Sequence, residues 1–139
     1  MRTPPSFIVS QADVRNLSGI TADYFSIDPA RRKLESENQR QFENLTPTLS
    51  EILNLAKKYR GGMIKLPPGY PIDEIPLDAE IIYLGSKQDC RECLILLGEL
   101  VQNPGKIRTV ILTKNDTFEF ISTSKRPDFE KEQNLEETK

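Results

Sequence analysis

The residues best equipped for chemistry are the two cysteines, spaced as C-x-x-C in Cys90-Arg91-Glu92-Cys93. Two thiols at that spacing can close a disulfide, and the thiolate form of either can attack a substrate sulfur. They cannot complete a four-ligand zinc site by themselves, and the chain contains no histidine. That absence removes the commonest general base, the Ser-His and Cys-His nucleophile pairs and every histidine metal ligand. Neither a G-x-x-x-x-G-K-[ST] phosphate loop nor a G-x-G-x-x-G fingerprint occurs. The expectation is therefore no metal, no cofactor and no evident catalytic group.

A second set of candidates is basic: Lys57, Lys58, Arg60 and Lys65, with Tyr59 among them. Cations around an aromatic ring can hold phosphates while the ring stacks on a base, so these are candidates for anion or nucleic-acid binding. Cations also gather at helix C-termini to offset the negative end of the dipole, which accounts for the same cluster without a ligand. The net charge of −2 supplies no whole-molecule field that would draw in nucleic acid. A third set is apolar: Phe7, Ile8, Val9, Tyr24 and Phe25 stand as isolated anchors in a polar stretch, a pattern expected where a segment orders against a partner.

The elements that must position these residues can be read from the 139-residue chain, which is long enough for one domain. Residues 1–45 read as a polar, partly helical N-terminal segment, with Asp28-Pro29 opening a marginal helix toward Phe42. Residues 46–124 read as a compact α/β domain. Thr48 and Glu51 have capping-box spacing, and Leu49, Ile52, Leu53, Leu55, Ala56 and Tyr59 recur at helical intervals, so a helix is predicted over 49–60, stopped by a left-handed Gly61. The proline-rich stretch from Leu66 to Pro76 is a rigid connector. Pro68-Gly69-Tyr70-Pro71 within it has minimal PxxP spacing, read as a loop. Ala79 to Leu84 is a strand, a helix follows to about Asn103, and Ile107–Thr113 and Phe118–Ser122 form a hairpin. The expected fold is thus α/β, a small mixed sheet in the order helix-strand-helix-strand-strand, with its first two strands parallel. Residues 125–139 read as a disordered, charged, acidic tail.

On the expected second helix, setting Cys90 at 0° puts Cys93 at about 300° and the leucines from Leu94 to Leu100 within roughly 120°, so both sulfurs face inward as small hydrophobes. The run from Ile81 to Val101 also resembles the active-site segment of thioredoxin-like proteins, where a strand leads into a C-x-x-C at a helix N-terminus. That resemblance would make Cys90 the attacking thiolate and Cys93 the resolving one. It would need Asp89 as the helix cap; with Ser86 as the cap, Cys90 lies one turn in. Asp89 and Glu92 oppose a thiolate electrostatically, and no proline stands where that family places its cis-proline.

The functional expectation is a non-catalytic protein-interaction or regulatory module, with thiol-disulfide exchange and nucleic-acid binding as the alternatives. Its expected partner is another protein or a second copy of the chain. No run of apolar residues suits a bilayer or a signal peptide, so a cytoplasmic place and no membrane partner are expected.

Overall fold

The computed structural model describes residues 6–17, 19–31 and 45–123. In chain order the elements are β1 (Tyr24–Ile27), β2 (Ala30–Arg31), β3 (Leu45–Thr46), α1 (Leu49–Ala56), β4 (Gly61–Leu66), β5 (Glu80–Gly85), β6 (Cys90–Gly98), β7 (Lys106–Leu112) and β8 (Thr117–Thr123). A six-stranded sheet runs β1-β4-β6-β5-β7-β8, and β2 pairs separately with β3.

The start of α1 follows from its cap. Thr48 Oγ1 accepts the Glu51 N–H at 3.2 Å, and the Glu51 carboxylate accepts the Thr48 N–H at 3.2 Å. Two otherwise unpaired donors are satisfied reciprocally. The helix ends at Ala56, short of the expected residue 60, and Gly61 is not its left-handed stop. Positive φ occurs at Gly19, Gly98 and Gly105. Gly61 instead opens β4, where its bare backbone permits close passage of Leu97 O and Glu99 N.

The second expected helix does not form. Ser86-Lys87-Gln88-Asp89 makes a tight turn in which Ser86 N–H donates to Asp89 O at 3.0 Å and Ser86 Oγ donates to Asp89 Oδ1 at 2.9 Å. The two side chains proposed as helix caps are therefore spent on the turn, which sends the chain back as β6 antiparallel to β5. The expected order helix-strand-helix-strand-strand is thus corrected: the described residues hold one α-helix and a six-stranded mixed sheet. Two finer expectations do hold. β5 and β7 are parallel neighbours, although β6 and a turn connect them where a helix was expected, and β7 and β8 form the hairpin.

Nor do Asp28 and Pro29 open a helix: Ala30 and Arg31 lie in β2, opposite Thr46 and Leu45. The rest of that expected helix, and the tail after Ser124, lie outside the described residues. Tyr24 and Phe25, assigned by sequence to the polar segment, belong to β1, which pairs in parallel with β4.

Strand register explains the core. Ile27, Ile64, Ile95, Ile81 and Ile107 stand side by side in one row across five strands. The next row holds Leu66, Cys93 and Tyr83. These side chains form the inner face of the sheet, against which α1 packs Leu49, Ile52 and Leu53, and the connector packs Tyr70 and Ile75. Tyr70 of the PxxP stretch is thereby buried.

Candidate functional site

Alternation along each strand sends the intervening residues to the opposite, outer face. Register brings Met63, Leu96, Leu94, Ile82, Leu84 and Val110 together there, with Ile121 and Leu112 toward the β8 edge. None belongs to the inner core cluster. Among the described residues, α1, β3 and the proline-rich connector lie on the inner side, and no helix or strand covers the outer one. What covers part of it is the turn between β6 and β7, over one end.

That turn is clipped down by a buried carboxylate. Glu80 has no solvent exposure. Its Oε1 accepts the N–H groups of Gln102 at 3.0 Å and Asn103 at 3.2 Å, its Oε2 accepts Asn103 Nδ2 at 3.1 Å, and Arg108 Nε lies 3.4 Å from Oε2. Burial is the largest single influence on the Glu80 carboxyl and pushes its pKa up, but the hydrogen bonds from Gln102 and Asn103 together with Arg108 outweigh it, so the pKa falls below its usual value. Arg108 Nε itself makes no hydrogen bond of good geometry; the guanidinium also reaches Glu119, at 3.4 Å. Across the face, Lys65 lies between Asp28 at 3.6 Å and Glu92 at 3.4 Å, and the charge of Asp28, then the charge and hydrogen bond of Glu92, raise its pKa. The outer face is thus a half-buried apolar centre in which Lys65 and Arg108 are ion-paired and Lys106 donates to Thr123 Oγ1 at 3.1 Å.

The sequence-derived candidates are distributed elsewhere. Cys90 is exposed and Cys93 buried, both as free thiols on β6. The inward orientation expected for Cys90 is therefore corrected, and the helix N-terminus that the thioredoxin-like arrangement requires is absent. Cys93 sits in the inner core, where burial above all, and then the neighbouring Cys90, push its pKa up to about 12 against an opposing hydrogen bond from Tyr83. Such a thiol is not ionised at neutral pH.

Of the basic cluster, Arg60 donates through Nε to Glu99 at 3.1 Å and stacks over the Tyr24 ring at 5.6 Å. Lys65 is paired as above, and Lys57 and Lys58 are exposed at the end of α1. Tyr59 packs against Phe25 with ring centroids 5.2 Å apart. The structure therefore does not gather these four cations around one free aromatic ring.

Among the proposed partner anchors, Phe25 is held over Gly62 and Tyr59, and Tyr24 Oη donates to Glu99 at 2.6 Å. Phe7, Ile8 and Val9 remain at 83–94% exposure. Sequence reasoning missed the outer face. Its available signal was that both alternate residue sets are apolar over Ile81–Leu84 and Cys93–Leu97, the mark of a strand covered on two sides.

Among the described residues no three Cys, Asp or Glu side chains come together as a metal site. Two surface depressions flank α1, lined by residues such as Glu51 and Asn54. No described helix is long and apolar enough to cross a membrane.

The architecture is a mixed α/β sheet layered on one helix. No protein-family model matches the sequence, and a search of curated proteins finds no match. A solved structure, described as a "putative methyltransferase from Porphyromonas gingivalis W83", shares the fold with a TM-score of 0.54 and 21% identity over 81% of this chain. The chain spans 28% of that protein's length, and the likeness is one of fold alone.

Proposed function

We propose that the protein is a non-catalytic interaction module that binds another protein through the outer face of its sheet, with Phe7, Ile8 and Val9 as additional anchors. The observation that carries this reading is the half-buried apolar set of Met63, Leu84, Leu94, Leu96 and Val110 around the buried Ile82, over which the described residues place no helix or strand. Contiguous apolar surface on a sheet is a docking surface or a liability. Its natural occupant is an amphipathic helix, because that is what this same sheet accepts on its inner side. The paired states of Lys65 and Arg108 favour an apolar ligand over an anionic one. The fold's occurrence as a part of the longer Porphyromonas protein is in keeping with a module that works beside further chain. We place it in the cytoplasm, in keeping with two unpaired cysteines.

The test is affinity capture from the native cell with the wild-type chain and with Leu94→Asp, run with and without reductant and nuclease. The expected result is a protein partner retained by wild type under every condition and lost with Leu94→Asp, whose melting temperature stays close to wild type. Loss on nuclease treatment would move the reading to nucleic-acid binding through Lys57 and its neighbours. Loss with reductant would move it to thiol exchange at Cys90, and retention by Leu94→Asp would remove the outer face from consideration.

A further inference from the structure

The sheet ends differently at its two sides. At one, β1 has four residues, is followed by Asp28-Pro29, and carries Tyr24 tied down by Glu99 and Arg60. At the other, β8 has seven residues, Thr117-Phe118-Glu119-Phe120-Ile121-Ser122-Thr123, every one of them exposed. All seven pair with β7 on one side without a bulge. No described backbone group pairs with the other side. Proteins usually protect such an edge with lysine, proline, a bulge or a short strand. β8 has no lysine, proline or bulge between Thr117 and Thr123, its one charge is Glu119, and it exposes Phe118, Phe120 and Ile121 by 45–59%.

The strand is also complementary to itself. An antiparallel copy related by a two-fold axis normal to the sheet keeps the inner and outer faces continuous only if like-facing residues stand opposite, so the axis must pass beside a residue and not between two. Centring it on Glu119 sets two carboxylates against each other, which is destabilising. Centring it on Phe120 pairs all seven residues: Thr117 with Thr123, Phe118 with Ser122, Glu119 with Ile121, and Phe120 with itself. The two phenylalanines meet as an aromatic cross-strand pair on the inner side. On the outer side Arg108 stands next to Ile121 within one chain, so Glu119 of the second copy falls two strands from Arg108, once on each side of the seam. The two Glu119 carboxylates then lie diagonally across the seam, about 7–8 Å apart and not directly opposite, each held by the Arg108 of its own chain at 3.4 Å.

We infer that the partner of the β8 edge is a second copy of this chain, joined antiparallel about Phe120 into one continuous twelve-stranded sheet. This surface is distinct from the outer face, and the inference stands whether or not that face binds another protein. A seven-residue seam buries less than the roughly 1,200 Å² at which stable interfaces begin, so the dimer is weak and concentration-dependent.

Sedimentation velocity of the full chain from low micromolar to near millimolar concentration tests it, alongside Phe120→Lys, which sets two ammonium groups on the axis. The expected result is a monomer-dimer equilibrium in wild type, weakened at least tenfold by Phe120→Lys while the melting temperature holds. A cysteine scan in a Cys90→Ser background gives the register: Phe120→Cys crosslinks to itself under mild oxidation, and Thr117→Cys does not, because its neighbour across the seam is Thr123. A monomer at all concentrations overturns the inference, as does a dimer indifferent to Phe120→Lys, equal crosslinking at both positions, or occupation of the edge by a different protein.

Discussion

Removing the Glu80 carboxylate is the sharpest test of how the outer side of the sheet is held together. In Glu80→Ala the N–H groups of Gln102 and Asn103 lose their acceptor, and Arg108 loses one of its two carboxylates. Orphaning buried donors costs about 1–3 kcal/mol each, and breaking a buried ion pair from one side costs about 3–5 kcal/mol. Gln102 is exposed and Arg108 keeps Glu119, so water and the second carboxylate recover part of this. The expected loss is therefore near the lower bound, about 3 kcal/mol, or roughly 10–25 °C in melting temperature for a domain of this size. Glu80→Gln retains the shape and one acceptor oxygen but not the charge, and should cost about half as much.

The acid dependence follows from the lowered pKa of Glu80. Its stabilisation is complete above the pKa of an unfolded glutamate and disappears as pH falls through the lower folded value. Chemical unfolding followed by circular dichroism at neutral and acidic pH should show the gap between wild type and Glu80→Gln narrowing in acid. A loss under 1 kcal/mol for Glu80→Ala, or a gap that widens in acid, would refute the assignment of Glu80 as the clip of the β6–β7 turn.

Two further outcomes test the inner side. A thiol reagent at mildly alkaline pH should react with one cysteine per native chain, Cys90, while Cys93, with its pKa raised to about 12, reacts only after unfolding; two rapid thiols would contradict the burial of Cys93. Gly62→Ala would set a methyl 2.1 Å from the Phe25 ring, which must move off Tyr59, at a cost of about 1–3 kcal/mol. Phe25→Leu in that background should recover part of the loss, and strictly additive unfolding energies would show that the two residues do not meet.

The parts of the fold legible in the sequence were those specified by local chemistry. The Thr48–Glu51 capping box is satisfied within four residues, so no tertiary knowledge was needed to place α1. The β7–β8 hairpin likewise declares itself through Lys114-Asn115-Asp116 between two runs of strand formers. What could not be read was anything whose meaning depends on a distant partner. Tyr24 and Phe25 look like stray anchors until Glu99, Gly62 and Tyr59, all remote in sequence, arrive beside them. Glu80 passes as an ordinary polar residue at a strand start until the turn at Gln102 and Asn103 closes over it.

The misreading of β6 as a helix has a more instructive cause. Leucines at 94, 96, 97 and 100 satisfy a helical stripe, and leucine prefers helix, so the period of 3.6 fits a segment that is in fact pleated. Alternation is invisible because Cys93, Ile95 and Leu97 face the inner core while Leu94 and Leu96, equally apolar, face the other way. A sheet with one solvated side would have shown polar residues at those positions and betrayed its period of two. The feature that disguised the strand is therefore the same one that supports the proposed docking role: leucine stands on both sides of a central strand, while the described residues layer a helix and a connector on only one of them.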